Sequence, residues 1–191
     1  MREAEVSRET KETKIRVKVN IDGTGDSKIS TGVAFLDHLM RTLAIHGKID
    51  LMIKAEGDLK HHVVEDVGIC LGQALAEALG RRQGIHRFGY AIVPMDDAMS
   101  IAAVDLASRP YTRIKLEMDS NYIEDLNKQE LLHFLETLGT SMSATLHVRV
   151  QYGTNDHHKI EAAFKALALS LRQAIAPSHD EKLIPSSKGV L

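Results

Sequence analysis

Two stretches of this sequence open in the same way and decide how the rest of it is interpreted: HHVVEDVGICLG at residues 61–72 and HHKIEAAFKALALSLRQA at residues 157–174. Each begins with His-His-x-x-Glu and continues with apolar residues at helical spacing. Each is preceded by a histidine in another helical pattern, at His38 and at His133. The offset is 95 residues for the two single histidines and 96 for the two motifs. Matching motifs in a matching context, one half-chain apart, indicate an internal duplication.

The apolar periodicity around the motifs predicts a similar order of elements in both halves. In the first half we expect a strand at 13–21, a helix at 33–46, a strand at 49–55 and a helix at 61–79. In the second half we expect strands at 88–93, 99–106 and 111–118, a helix at 126–139, a strand at 144–152 and a helix at 157–175. We match strand 13–20 with strand 111–118 and find no counterpart for the strand at 88–93. The predicted fold class is α/β (α+β), with two similar β-α-β-α halves, residues 1–86 and 87–191, packed as one unit.

The composition is that of an ordinary globular protein, with 191 residues, 43% of them hydrophobic and 26% charged. A formal net charge of −2 gives no general attraction to nucleic acid or to an anionic membrane. The charged N-terminal segment lacks the apolar core of a signal peptide, and no apolar run reaches membrane-spanning length. Cys70 is the only cysteine, so a disulfide within the chain is impossible and we expect a small buried apolar residue there. These features predict a soluble protein of the cytoplasm.

The repeated motif has the spacing of metal ligands on a helix. Residues four apart project from the same helix face, so His61 and Glu65 can reach one ion together. His62 points about 100° away around the helix and could reach a second ion or a neighbouring subunit. The candidate ligands fall into one set in each half: His38, His61, His62 and Glu65, then His133, His157, His158 and Glu161. Six imidazoles and two carboxylates suffice for two ions with three nitrogens and one oxygen each, although which histidine meets which ion stays open.

Several metals suit this ligand set. A nitrogen-rich site with a carboxylate and open positions suits Mn²⁺, Fe²⁺, Co²⁺ or Zn²⁺, whereas structural zinc held by thiolates is excluded by the single cysteine. A lone His-His-x-x-Glu would more often be a solvated helix start, but two copies in the same context favour metal binding. Gly68 and Gly72, on the face below His61, would let another helix approach closely. The histidines that lack such pairing are predicted at the surface or at helix ends: His46, His86, His147 and His179.

Six segments of the chain carry a family resemblance. They are FLDHLMRTLAIHG (35–47), HHVVEDVGICLG (61–72), RFGYAIVPMDDAM (87–99), VDLASRPY (104–111), HHKIEAAFKALALSLRQA (157–174) and PSSKGVL (185–191). Together they resemble the imidazoleglycerol-phosphate dehydratase family of histidine biosynthesis, from about Arg8 to Leu191 and with every motif in order. The resemblance implies a lyase that removes water from D-erythro-imidazoleglycerol phosphate to give imidazole acetol phosphate. It also implies helices sandwiched between two four-stranded sheets, two Mn²⁺ per active site, and a homo-oligomer of two dozen subunits with sites shared between chains.

The resemblance also assigns roles to particular residues. The eight histidines and glutamates of the two sets match the family's metal ligands, and Glu65 and Glu161 are expected to take part in catalysis as well. Phosphate binding is implied for Arg87, Arg109, Lys165, Ser186 and Lys188. Glu12 matches a glutamate that moves protons. The chain departs from the family at Thr42, where many relatives have glutamine and a substrate contact is in question, and in the loop 119–129, which is shorter than in many relatives.

The chemistry of this dehydration agrees with a duplicated ligand set. The leaving hydroxyl sits next to an imidazole, and no adjacent carbonyl acidifies the proton that must be lost. A metal on each ring nitrogen would favour the imidazolate, whose electrons can expel the hydroxyl to give a diazafulvene-like intermediate, then an enol and the ketone. Two alternatives remain: a two-metal hydrolase with a bridging hydroxide, and a non-enzymatic oligomer that metals only hold together. The first would need a set richer in carboxylates than this one.

Overall fold

The computed structural model of the chain describes residues 1–178 and 184–189. The elements of the first half are β1 Glu3–Glu9, β2 Thr13–Asn20, β3 Ser27–Ser30, α1 Ala34–Gly47, β4 Asp50–Gly57 and α2 Lys60–Leu79. Those of the second half are β5 Phe88–Met95, β6 Ala98–Asp105, β7 Tyr111–Lys115, β8 Tyr122–Ile123, β9 Leu126–Asn127, α3 Lys128–Ser141, β10 Thr145–Tyr152 and α4 Asp156–Ile175. Within these described residues each half forms one four-stranded sheet, with strand orders β1-β2-β4-β3 and β5-β6-β10-β7. β8 and β9 form a separate short hairpin.

The identical strand orders show how the two halves correspond. β1 occupies the position of β5, β2 that of β6, β3 that of β7 and β4 that of β10. In both sheets the first three strands of the order are antiparallel and the last is parallel to its neighbour. The match of strand 13–20 with strand 111–118 is therefore wrong, because residues 13–20 form an inner antiparallel strand whereas residues 111–115 form an edge strand. The strand at 88–93 does have a counterpart, which is β1.

Two strands of the first sheet, β1 and β3, are not indicated by the apolar periodicity. β1 is an edge strand, and its inward residues Ala4 and Val6 are only partly buried. It pairs with β2 along its full length, and cross-strand ion pairs such as Glu5 with Arg16 occupy its outer face. β3 has only four residues and buries one of them, Ile29. A short or charged edge strand forms because its neighbour offers free backbone groups, not because of its own apolar pattern.

The helices of the described chain lie between the two sheets. α1 and α2 pack on the first sheet, α3 and α4 pack on the second, and the layers meet through two helix pairs, α1 with α4 and α2 with α3. Each pair therefore joins one helix from each half. A Cβ atom at Gly68 would lie 2.5 Å from Oγ1 of Thr137, and one at Gly72 would lie 2.6 Å from the carbonyl oxygen of Leu138. The prediction of an α/β (α+β) fold with helices between two four-stranded sheets is confirmed, as is the close helix approach at these glycines.

The inner faces of the sheets and the helices form one continuous apolar core. Cys70 is fully buried in it, as predicted. Burial raises the pKa of the Cys70 thiol to about 11, so the thiol stays protonated and unreactive at neutral pH. His86 and His147 are exposed and His46 lies in the last turn of α1, as predicted, whereas His179 lies outside the described residues. Among the described residues no helix is long and apolar enough to cross a membrane.

Asp50, at the start of β4, holds the loop that precedes β3. Its Oδ1 accepts hydrogen bonds from the backbone N–H groups of Thr24, Gly25 and Asp26 at 2.8, 3.0 and 3.1 Å. Burial raises the pKa of Asp50, but the N–H donors outweigh burial and the pKa lies below its ordinary value. We expect Asp50→Asn to lower the free energy of unfolding at neutral pH by about 1.5 to 3 kcal/mol, the range for hydrogen bonds to a charged group.

Urea unfolding of the metal-free protein over a pH series measures this effect. Because the pKa is lowered by folding, the contribution of Asp50 is complete above the unfolded pKa of about 3.9. It is lost as the pH falls through the lower folded value. A difference between parent and variant that does not shrink in acid would contradict this explanation.

Candidate metal centre and phosphate pocket

Two groups of histidine and glutamate side chains lie at the two helix pairs. The α1–α4 group consists of His38, His157 and Glu161, and the α2–α3 group consists of His61, Glu65 and His133. Within each group, one possible ligand atom of each residue lies within 4.8 Å of the others. Ligand atoms about 2.1 Å from a shared ion lie at most about 4.2 Å apart, so small side-chain movements would let either group hold an ion.

The grouping crosses the two halves of the chain. His38, on α1, meets the second motif on α4, and His133, on α3, meets the first motif on α2. The predicted sets, one in each half of the chain, placed His38 with the first motif and His133 with the second. That grouping is wrong. The cause is helix packing, since each pair joins one helix from each half. The two groups are equivalent under the internal repeat, because each combines one single histidine with one motif.

Glu161 joins the members of the α1–α4 group. Its Oε2 lies 3.1 Å from Nε2 of His38 and 3.2 Å from Nε2 of His157. Its Oε1 lies 2.8 Å from Nζ of Lys165, one turn further along α4. Burial raises the pKa of Glu161, but hydrogen bonds from Lys165 and His38 outweigh burial and hold the pKa at about 2. The carboxylate is therefore ionised at neutral pH and can offer a divalent cation its negative charge.

The α2–α3 group has the same plan with longer contacts. Oε1 of Glu65 lies 3.3 Å from Nε2 of His133, and Oε2 of Glu65 lies 3.7 Å from Nε2 of His61. The Glu65 side chain is 33% exposed, against 12% for that of Glu161. No lysine forms an ion pair with Glu65 in the part of the chain that the structure describes. The two groups thus share ligand types but differ in exposure and in neighbouring charge.

The second histidine of each motif, His62 or His158, lies outside both groups. Nδ1 of His62 is 2.8 Å from Oδ1 of Asp58, and Nδ1 of His158 is 2.6 Å from Oδ1 of Asp97. The hydrogen bond to Asp58 raises the pKa of His62. Hydrogen bonds from His158 and from backbone N–H groups hold the pKa of Asp97 well below its ordinary range. A carboxylate bound to one ring nitrogen fixes the orientation of the ring and leaves the other nitrogen, here Nε2, for a ligand. Nε2 of His158 also lies 3.6 Å from Oδ2 of Asp96.

Glu12, the residue expected to move protons, lies on the turn between β1 and β2. Its Oε2 is 3.8 Å from Nδ1 of His62, and 60% of its side chain is exposed. It is thus close to a candidate ligand and open to a substrate. Thr42, in contrast, is buried within α1, where its side chain is closed off from a substrate.

Four of the five residues expected to bind phosphate line one cavity of about 360 Å³. The cavity is lined by Arg87, Ala107, Ser108, Arg109, Ser186, Ser187 and Lys188. Arg87 donates to both carboxylate oxygens of Asp105, at 2.7 and 3.1 Å, and to the carbonyl oxygen of Pro185 at 2.7 Å. It therefore ties the C-terminal segment to the second sheet. Guanidinium, ammonium and hydroxyl groups around one cavity suit a phosphate. Lys165 does not line this cavity and lies beside Glu161 instead.

Several carboxylates at these sites were not indicated by the motifs. Asp58 lies four residues before His62, a spacing that a search for helical partners could have found. The others reach site residues from distant parts of the chain: Asp97, Asp105 and Glu124. Asp97 and Asp105 stand in two of the segments that carry the family resemblance, but no local pattern indicates the partners of these carboxylates, because only the packing of the elements brings them close.

Known proteins are similar to this chain in sequence and in fold. The sequence profile described as imidazoleglycerol-phosphate dehydratase matches residues 31–171, a range that contains every member of both groups. The chain belongs to the imidazoleglycerol-phosphate dehydratase family. A dehydratase of this name from Methanothermobacter thermautotrophicus is 50% identical over 194 residues, which cover 100% of this chain and 98% of that protein. Another from Methanocella arvoryzae is 46% identical, with 100% of both chains covered.

Solved structures of imidazoleglycerol-phosphate dehydratases have the same fold. The Pyrococcus furiosus structure, in complex with (S)-C348, aligns to this chain with a TM-score of 0.85 and 38% sequence identity. The alignment covers 97% of this chain and 100% of that chain. The Staphylococcus aureus structure has a TM-score of 0.85 at 30% identity, with coverages of 92% and 99%. The predicted family is confirmed, as is the prediction of an enzyme of the hydro-lyase class acting in histidine biosynthesis.

Proposed function

We propose that this chain converts D-erythro-imidazoleglycerol phosphate to imidazole acetol phosphate and water. The observation that carries the proposal is the pair of equivalent His/Glu groups, because the imidazole of the substrate also has two ring nitrogens. Two ions, one for each nitrogen, would give the repeat a chemical purpose. The cavity lined by Arg87 and Arg109 supports a phosphorylated substrate.

The proposed cofactor is two Mn²⁺ per active site. The donor types fit, since each group offers two imidazole nitrogens and an oxygen, although Fe²⁺, Co²⁺ and Zn²⁺ accept the same donors. The eight proposed ligands are His38, His61, His62, Glu65, His133, His157, His158 and Glu161. When bound, the ions would supply Lewis-acid chemistry, drawing electron density from the imidazole ring and so favouring loss of its N–H proton.

The chain's own residues would hold the substrate and move its protons. Glu12 would protonate the leaving hydroxyl or remove the carbon-bound proton, because its exposed carboxylate lies beside His62. Glu65 and Glu161 would contribute to catalysis by placing negative charge at the two groups. The proposed phosphate ligands are Arg87, Arg109, Lys165, Ser186 and Lys188. Lys165 does not line the cavity of the other four residues. We keep it in the set because a substrate bound across a subunit boundary would contact residues of two chains.

The arrangement of ligands supports a homo-oligomer of two dozen subunits with shared active sites. Each group contains three ligands within the described chain, fewer than the four to six that these metals take. His62 and His158 lie outside both groups and would complete the coordination in a neighbouring chain, which couples assembly to metal binding. We place this enzyme in the cytoplasm, and we propose that residues 1–86 and 87–191 are duplicated halves packed as one unit.

Removing the metal from the full-length protein is expected to abolish turnover and to reduce the particle size, and re-addition of Mn²⁺ should restore both. The measurements are ketone formation from imidazoleglycerol phosphate and light scattering after chelation. No ketone from the Mn²⁺-loaded protein would reject the proposed reaction. A particle size that stays the same after complete metal removal would reject the proposed assembly.

The same experiment, with released inorganic phosphate measured as well, separates the two alternatives. A two-metal hydrolase would release inorganic phosphate in place of the ketone, and each described group has one carboxylate where a bridging site needs more. A non-enzymatic oligomer held by metals would change size on chelation but show no turnover with or without Mn²⁺.

A further inference from the structure

Glu124, on the turn between β8 and β9, has a backbone conformation that its residue type disfavours. Its φ of +50° lies in the left-handed region, which glycine adopts without cost. Residues held in such a conformation concentrate at functional sites. The Glu124 carboxylate lies 3.2 Å from Nδ1 of His157, whose Nε2 lies 3.2 Å from Glu161. Both ring nitrogens of His157 thus face a carboxylate.

The turn that carries Glu124 is held in place by its neighbour. The Asp125 carboxylate accepts hydrogen bonds from the backbone N–H groups of Ala34 and Phe35, at 2.6 and 2.9 Å, at the start of α1. The ammonium of Lys60, the first residue of α2, donates to the carbonyl oxygen of Asp125. None of these bonds involves the Glu124 side chain. The turn would therefore keep its position without the Glu124 carboxylate, and stability does not explain the glutamate.

The contact at His157 has no equivalent in the other half. His61 occupies the same place in the first motif, and no carboxylate contacts its Nδ1 among residues 1–178 and 184–189. Glu124 therefore distinguishes two groups that the internal repeat otherwise makes alike. A carboxylate on the non-ligating nitrogen fixes the tautomer of an imidazole, orients the ring and raises its basicity toward a metal.

We propose that Glu124 is a positioning residue for the ion of the α1–α4 group, and that it acts by directing Nε2 of His157 toward that ion. The inference rests on the proposed function only in taking the two groups as metal sites. It goes beyond that function because Glu124, which is not itself a ligand, would strengthen the binding of one of the two ions.

Mn²⁺ titration of the full-length, metal-free protein tests this role, with free Mn²⁺ followed by electron paramagnetic resonance. Glu117 supplies a matched control, because it is also an exposed glutamate with positive φ (+47°). In the described part of the chain its side chain makes no hydrogen bond or ion pair. Both Glu124→Gly and Glu117→Gly should unfold at the same temperature as the parent or higher, since glycine relieves the left-handed backbone. Only Glu124→Gly should lose about 10-fold or more in affinity for one ion. Glu124→Gln should recover part of the loss, because its amide oxygen still accepts from Nδ1–H.

Two results would overturn the inference: unchanged affinity for both ions in Glu124→Gly, or an equal loss in Glu117→Gly. A parent protein that binds no Mn²⁺ would instead overturn the proposed metal centre, and the role of Glu124 with it.

Discussion

Replacing Glu161 by glutamine is expected to lower kcat for the dehydration by about 10³-fold or more. Glu161 is the only carboxylate of the α1–α4 group and contacts both of its histidines. Glutamine has nearly the same shape but no charge, so the group would hold a divalent ion poorly. A metal ion contributes several kcal/mol to stabilising developing charge, and each 1.36 kcal/mol is tenfold in rate. Turnover and bound Mn²⁺ should be measured on the same preparation.

Glu65→Gln is expected to have a similar effect, because the α2–α3 group is the repeat equivalent. The double variant should be little worse than either single one, since two ions acting on one ring work as a unit. Glu136→Gln, an exposed glutamate on α3, controls for the loss of one negative charge. Full turnover in Glu161→Gln with both ions bound would contradict the role given to this carboxylate.

Arg109→Ala is expected to lower kcat/KM by about 10- to 100-fold, mainly through a higher KM. The guanidinium lines the cavity with Lys188 and Ser186, and a hydrogen bond to a charged group contributes about 1.5 to 3 kcal/mol. Arg109 is a cleaner choice than Arg87, which also holds Asp105 and the carbonyl oxygen of Pro185. Steady-state kinetics with imidazoleglycerol phosphate, together with inhibition by inorganic phosphate, measures the effect.

Arg113→Ala is the matched control, because Arg113 is an exposed arginine on β7 that does not line this cavity. It should leave both KM and phosphate inhibition as in the parent. An unchanged KM in Arg109→Ala would exclude this cavity as the phosphate site.

The helices and the ligand types could be predicted from the sequence because their signals are local. A His-His-x-x-Glu motif spans just over one helical turn, so its spacing alone places His61 and Glu65 on one face. The apolar stripes likewise predict α2 and α4 to within a residue or two of their observed bounds. The apolar periodicity did not predict the edge strand β1, because β1 buries little apolar surface. Strand 13–20 was matched with the wrong strand because an inner strand and an edge strand can show similar alternation of apolar and polar residues.

The grouping of His38 with Glu161, and of His133 with Glu65, depends on which helices pack together. That packing brings together residues more than a hundred positions apart in the first case, and no pattern along the chain encodes it. The contacts of Glu124 with His157 and of Asp97 with His158 arise in the same way.

The sequence by itself therefore determined the types of candidate ligand in this protein: six histidines and two glutamates in a duplicated pattern, on helices whose periodicity is plain. Only the tertiary structure decided how those residues combine and which carboxylates orient them. The physical reason is that a ligand's type and its helix face follow from neighbours within a turn, whereas its partners follow from the burial of apolar faces that pair α1 with α4 and α2 with α3.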